Sequence, residues 1–132
     1  MENFSDYINE SESSKSVGVF FGKLFQSRDI THLNHLFTKS HEDHVALNEY
    51  YDGLLESIDA LVECYQGNNE IISIEIPSST SDEFDSIDHL NKLKEYIDST
   101  RESISDTAEF NNTLDDILSL ISSTLYKLKN LK

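Results

Sequence analysis

The chain has 132 residues, with 10 Lys or Arg against 25 Asp or Glu and a formal net charge of −15. A surface this acidic repels the phosphate backbone of DNA and RNA, so we expect no direct binding to nucleic acid. A single cysteine excludes an intrachain disulfide, and no signal peptide or long apolar run predicts export or a membrane span. We therefore expect one domain in the cytoplasm or inside a particle, where its acidic surface attracts cations or a basic protein partner.

Residues 1–14 are polar, serine-rich and acidic, which predicts a flexible N-terminal arm ahead of a single domain over residues 15–132. A first helix is predicted over about 15–37, because apolar side chains recur there at helical spacing. These are Val17, Phe20, Phe21, Leu24, Phe25, Leu33 and Leu36.

A second helix is predicted over about 41–66, opened by a capping box at Ser40 and Asp43 and stopped by Gly67. The next stretch, 68–81, contains alternating isoleucines and a proline, but the sequence offers no partner strand for a sheet. About fourteen residues can extend ~45 Å, enough to run the length of a ~39 Å second helix. We expect a long crossover there.

Two further helices are predicted over about 82–103 and 109–131, each with one apolar stripe. The stripes comprise Phe84, Ile87, Leu90, Leu93 and Ile97, then Phe110, Leu114, Ile117, Ile121, Leu125 and Leu128. Four helices with a long crossover between the second and third predict an all-α, ferritin-like four-helix bundle.

The candidate functional residues lie on both sides of the first turn and along the second helix. His44 and Asp59 are fifteen positions apart, which is ~22 Å along a helix, so one ion cannot contact both in one subunit. His44, Asn48, Asp59 and Glu63 nevertheless fall within about a third of the helix circumference. An antiparallel second copy would bring His35 and His44 of one chain to Asp59 and Glu63 of the other. The geometry thus predicts an inter-subunit metal site.

This segment resembles the metal-site region of the Dps branch of the ferritin superfamily. There a His-Trp-x-x-x-Gly motif precedes His-x-x-x-Asp and then Asp-x-x-x-Glu on the next helix. The first histidine matches His35, the second matches His44, and the acid pair matches Asp59 and Glu63. HLFTKSHEDHVAL and VECYQG also look like a family of small, uncharacterised Dps-like proteins of tailed phages and large DNA viruses.

The resemblance implies a homodimer or higher homo-oligomer, in an infected host cell or a virion, that binds iron or another divalent metal. His35 and His44 would be imidazole ligands, and Asp59 and Glu63 would supply negative charge, with ferroxidase-like chemistry as one outcome. Asn48 stands where Dps has a bridging aspartate, and Leu36 stands where it has tryptophan. These departures keep open a second hypothesis, a non-enzymatic accessory or virion-associated protein without metal chemistry.

Simpler interpretations also remain open for the same residues. The histidines, with His32 and His41 nearby, are typical of helix ends, and the acids are typical of a solvated helix edge. Cys64 is expected to be a small core residue, and the helix tyrosines are expected to be packing residues. Three Glu-x-x-Asp pairs suggest a Mg²⁺-dependent nucleotide pyrophosphatase, which would need such pairs on facing helices: Glu49 and Asp52, Glu56 and Asp59, Glu95 and Asp98.

Overall fold

A computed structural model describes the backbone of residues 4–78 and 85–131, and the side chains of 15–78 and 85–131. Four helices make up this part of the chain, and it contains no strand. They are α1 (Phe4–Phe37), α2 (His41–Asn68), α3 (Ser86–Ile104) and α4 (Ala108–Asn130). The predicted all-α class and the four helices are confirmed.

The first helix starts earlier than the sequence pattern predicts. It begins at Phe4 and not near residue 15, so the prediction from apolar spacing is wrong at this end. Residues 1–3 and the side chains of 4–14 lie outside the described part, so the flexible arm over 1–14 remains a prediction. The third helix, predicted from about 82, begins at Ser86 after the extended N-cap Asp85, so its predicted start is wrong; residues 82–84 lie outside the described part.

Side-chain caps set where the later helices begin. The Ser40 side chain accepts a hydrogen bond from the Asp43 amide at 3.2 Å, as expected for the N-cap of α2. Asp85 and Thr107 do the same for α3 and α4. The predicted stop at Gly67 is wrong, because α2 continues through it to Asn68 and no described glycine has a positive φ.

One apolar core lies between the four helices. Its largest fully buried side chains come from every helix and include Phe20, Phe21, Tyr50, Leu54, Ile97 and Phe110. Each helix packs against two neighbours, since α1 and α4 each contact both α2 and α3. The helices α2 and α3 lie diagonally opposite each other and do not pack together. No described helix is long and apolar enough to cross a membrane.

The connection from α2 to α3 runs along the outside of α1. Its backbone passes Gly18 at Ser73 and Gly22 at Glu75, and Gln26 Nε2 then donates to the Ser78 carbonyl at 3.2 Å. Side chains at either glycine would overlap a carbonyl oxygen of the connection, which explains why glycine occupies both positions.

The crossover carries the chain back to the end of the bundle where α2 began. There Asn34 Nδ2, near the end of α1, donates to Ser86 Oγ at the start of α3 at 2.7 Å. Lys127, near the end of α4, pairs with Glu49 near the start of α2 at 2.8 Å. α3 therefore runs parallel to α2, and both run antiparallel to α1 and α4.

Candidate metal site at the first turn

The three-residue turn between α1 and α2 brings His35 and His44 into face-to-face contact. Their ring centroids are 3.7 Å apart and their planes are tilted by 24°. His35 is buried and His44 is exposed, so the stacked pair lies at the surface with one ring beneath the other.

Reciprocal hydrogen bonds fix the orientation of both rings. His35 Nδ1 lies 2.7 Å from the His44 carbonyl oxygen, and His44 Nδ1 lies 2.9 Å from the His35 carbonyl oxygen. A carbonyl only accepts, so each Nδ1 must carry the hydrogen and donate it. In the neutral ring, Nε2 then holds a free lone pair, which is the form that binds metal ions.

The stacking also limits how these lone pairs can be used. An imidazole binds a metal in its ring plane at ~2.1 Å from nitrogen. With planes only 24° apart and centroids separated by 3.7 Å, no point at bonding distance from both Nε2 atoms lies in the planes of both rings. Both rings can bind the same ion only if one of them rotates.

A tyrosine and a third histidine extend the cluster. The His32 ring stacks on Tyr51 with centroids 4.4 Å apart, and Tyr51 meets the edge of His35 at 5.3 Å. The Tyr51 hydroxyl donates to Asn48 Oδ1 at 2.7 Å, which engages the carbonyl oxygen that Asn48 would offer to a metal. Sequence analysis assigned no site role to Tyr51 or His32. The available signal was that Tyr51, two turns after His44, lies on the same face of α2.

Asp59 and Glu63 lie elsewhere on the exposed surface of α2. Neither carboxylate makes a hydrogen bond or ion pair within the described residues. Nor does the described part of the chain contain any group of three or more His, Cys, Asp or Glu placed to hold a metal ion. One subunit therefore brings His35 and His44 together but leaves the acid pair apart, and the inter-subunit site remains a prediction.

The other candidate residues have different surroundings. Cys64 packs against the core. Its partial burial raises the pKa of its thiol, and the nearby Glu109 carboxylate raises it further by a smaller amount. Glu49 forms the ion pair with Lys127. Since α2 and α3 do not pack together, the pair at Glu95 and Asp98 does not face the acid pairs of α2, which removes the basis for a pyrophosphatase site.

Comparison with known proteins gives one family. Neither a search of curated proteins nor a search of solved structures found a match to this chain. A family model described as a family of unknown function, DUF5856, matches residues 35–128, which is more than half of the chain and includes His35, His44, Asn48, Asp59 and Glu63. The chain therefore belongs to the DUF5856 family.

Proposed function

We propose that this protein is a Dps/ferritin-like homo-oligomer that binds iron or another divalent metal between two subunits. His35 and His44 of one subunit supply imidazole nitrogens, and Asp59 and Glu63 of the other supply carboxylate oxygens. By the resemblance to Dps-like viral proteins, it acts in the cytoplasm of an infected host cell or inside the virion.

The connectivity of the bundle supports the fold part of the proposal. A ferritin-like bundle differs from a simple up-down-up-down bundle by one long connection that makes its second and third helices parallel. Here the backbone from Ser73 to Ser78 follows α1 toward the start of α3, so α2 and α3 run in the same direction.

The observation that carries the metal proposal is that Nδ1 of His35 and of His44 each donates to a backbone carbonyl, which leaves both Nε2 atoms free to bind one ion after one ring has rotated out of the stack. Histidines that bind metals usually donate their other ring nitrogen to a carbonyl or carboxylate, which holds the ring and fixes the tautomer. Histidines that only cap a helix end need no such reciprocal arrangement. Two neutral imidazoles still lack the negative charge that holds Fe²⁺, and the exposed Asp59 and Glu63 of a second copy would provide it.

Subunit mixing tests whether the ligands come from two chains. His44→Ala and Glu63→Gln homo-oligomers should each bind Co²⁺ or Fe²⁺ poorly. When equal amounts are unfolded together and refolded, half of the dimers are mixed, and each mixed dimer has one site with wild-type ligands. Mixing should therefore restore roughly a quarter of wild-type binding.

Two controls make this result specific. Glu102→Gln, an exposed charge removal on α3, should bind as wild type does. Mass measurements should give at least a dimer for every variant. Failure of mixing to restore binding, although both variants assemble, would contradict a site shared between subunits.

A second candidate function is a non-enzymatic interaction protein that keeps the bundle without metal chemistry. Two observations favour it: Tyr51 occupies the Asn48 carbonyl oxygen, and Leu36 and Phe37 beside the histidine cluster are 60% and 64% exposed. Such side chains suit contact with another protein better than they suit solvent. Protein purified without chelators distinguishes the two functions, because the interaction protein would carry well below one ion per dimer and would not accelerate aerobic Fe²⁺ oxidation.

A further inference from the structure

A buried chain of hydrogen bonds, separate from the histidine cluster, joins three helices. His89 Nε2 on α3 lies 2.8 Å from Ser27 Oγ on α1, and Ser27 Oγ lies 2.8 Å from the Tyr50 hydroxyl on α2. Ser27 and Tyr50 are fully buried, and His89 is half-buried. This chain ties the start of α3 to the α1–α2 pair.

Only one direction of donation satisfies every group. If Tyr50 donates to Ser27, Ser27 donates to His89 Nε2, and each hydroxyl hydrogen has an acceptor. If His89 Nε2 carries a hydrogen instead, three hydrogens share the two contacts of the chain. The hydroxyl hydrogen of either Ser27 or Tyr50 then has no acceptor among the described residues. An unsatisfied hydroxyl at a fully buried position is costly.

The geometry points to a pH-sensitive latch, in which protonation of His89 at Nε2 breaks the bridge that holds α3 to α1 and α2. Protonation places a hydrogen on Nε2, the atom that accepts from Ser27 in the neutral ring. A charged ring and a fully hydrogen-bonded chain therefore cannot coexist. The expected response is local opening of α3 in weak acid while the α2–α4 contact stays closed.

The charged groups near His89 are already engaged by other groups. The ring borders a small cavity of about 130 Å³ that gives protons a path from solvent, and it shares this cavity with Lys23, Gln26, Lys92, Leu93 and Tyr96. Lys23 lies over the Tyr96 ring at 4.4 Å, and Lys92 pairs with Asp88 at 2.9 Å. On the α2 side, the chain of hydrogen bonds ends at Tyr50, which is neutral. An imidazolium would therefore gain only the attraction of Asp88, whose carboxylate is already paired with Lys92 and opposes the effect of burial only in part.

The size of the response follows from the two protonation equilibria. Burial lowers the pKa of His89 from the ordinary 6.5 to about 4, with a smaller opposing effect from Asp88. If opening exposes the ring to water, lowering the pH from about 7.5 to about 5.5 raises the opening equilibrium of α3 about tenfold. At about pH 5.5 most carboxylates remain ionised, so protonation of the many Asp and Glu side chains changes the opening equilibrium of α3 only slightly.

Amide hydrogen exchange of the full chain in chelator-treated buffer tests the latch without involving a metal site. Corrected for intrinsic exchange rates, α3 peptides should lose about tenfold protection between these two pH values, whereas α4 peptides should change little. His89→Gln, which can still accept from Ser27 but does not titrate there, should abolish the difference. Equal loss of protection in both helices, or the same loss in His89→Gln, would overturn the latch.

A titration keeps the proposal testable if His89→Gln does not fold. The His89 ring, followed by NMR in the folded wild type, should titrate far below an exposed histidine. In Ser27→Ala its pKa should rise, because the neutral ring then loses the hydrogen bond that Ser27 donates to Nε2. A wild-type titration near 6.5, or no change in Ser27→Ala, would refute the mechanism.

Discussion

Gly18 and Gly22 provide a test of how the crossover is seated on α1. In an exposed helix interior, replacing glycine by alanine stabilises a protein by up to about 1 kcal/mol. At Gly18 the added methyl would overlap the Ser73 carbonyl oxygen, and at Gly22 it would overlap that of Glu75. These are backbone atoms and cannot turn aside as a flexible side chain can.

The magnitude follows from two opposing effects. Overpacking against a fixed neighbour costs about 1–3 kcal/mol, or more when backbone has to move. After subtracting the helix-propensity gain, we expect Gly18→Ala and Gly22→Ala each to lower the free energy of unfolding by up to about 2 kcal/mol, or more if the backbone has to move. The double variant should cost less than the sum, because one displacement of the crossover clears both positions.

Gly67→Ala is the matched control, because it lies within α2 and an added methyl there meets nothing within 4 Å. It should stabilise the protein by up to about 1 kcal/mol. Urea unfolding followed by circular dichroism measures all four variants, and a change of 1 kcal/mol corresponds to roughly 3–5 °C in Tm. If Gly18→Ala stabilises the chain as much as Gly67→Ala does, the crossover does not rest on α1 as described.

Three further predictions concern other parts of the molecule. The lowered pKa of His89, about 4 against 6.5, means that the unfolded chain binds more protons between these values. The contribution of neutral His89 to stability is therefore present above pH 6.5 and is lost as the pH falls toward 4, to a total of about 3 kcal/mol. His89→Gln should flatten that part of the pH–stability curve, and a curve like that of the wild type would contradict the prediction. Ser40→Ala removes the N-cap of α2 and should cost about 1 kcal/mol in urea unfolding, while no loss would mean that the cap is dispensable. Tyr51→Phe releases the Asn48 carbonyl oxygen, so Co²⁺ affinity should rise severalfold by calorimetry, and a fall in affinity would count against Asn48 as a ligand.

Much of the fold follows from local sequence patterns, and the exceptions have physical reasons. The second and fourth helices were predicted to within two residues, because Ser40 marks the start of the second and one apolar stripe covers nearly the whole of the fourth. The start of α1 was missed because polar and acidic residues dominate 4–14, although Phe4, Tyr7 and Ile8 stand there at helical spacing.

Gly67 shows a different limit of the sequence argument. Glycine after an apolar stripe usually ends a helix in the left-handed conformation, but here the last turn is capped from beyond it. The side-chain amides of Asn68 and Asn69 donate to the carbonyls of Cys64 and Tyr65, each at 3.0 Å. Those bonds satisfy carbonyls that the glycine cap would otherwise serve, so α2 can pass through Gly67.

The candidate site also combines features that the sequence predicts with features that only atomic positions reveal. Helix period and turn length were enough to select His35 and His44 as neighbours. The tautomer set by their backbone bonds, and the capture of Asn48 by Tyr51, depend on atomic positions that no spacing rule supplies. The role of Asp59 and Glu63 requires a second molecule and so lies beyond any reasoning about one chain.

Anomalous diffraction from crystals soaked with Co²⁺ would locate the ion itself. The inter-subunit proposal predicts a peak within bonding distance of His44 Nε2 of one chain and of the Glu63 carboxylate of its partner. A peak bound by residues of one chain alone, or no peak at either residue in a fully loaded crystal, would contradict it.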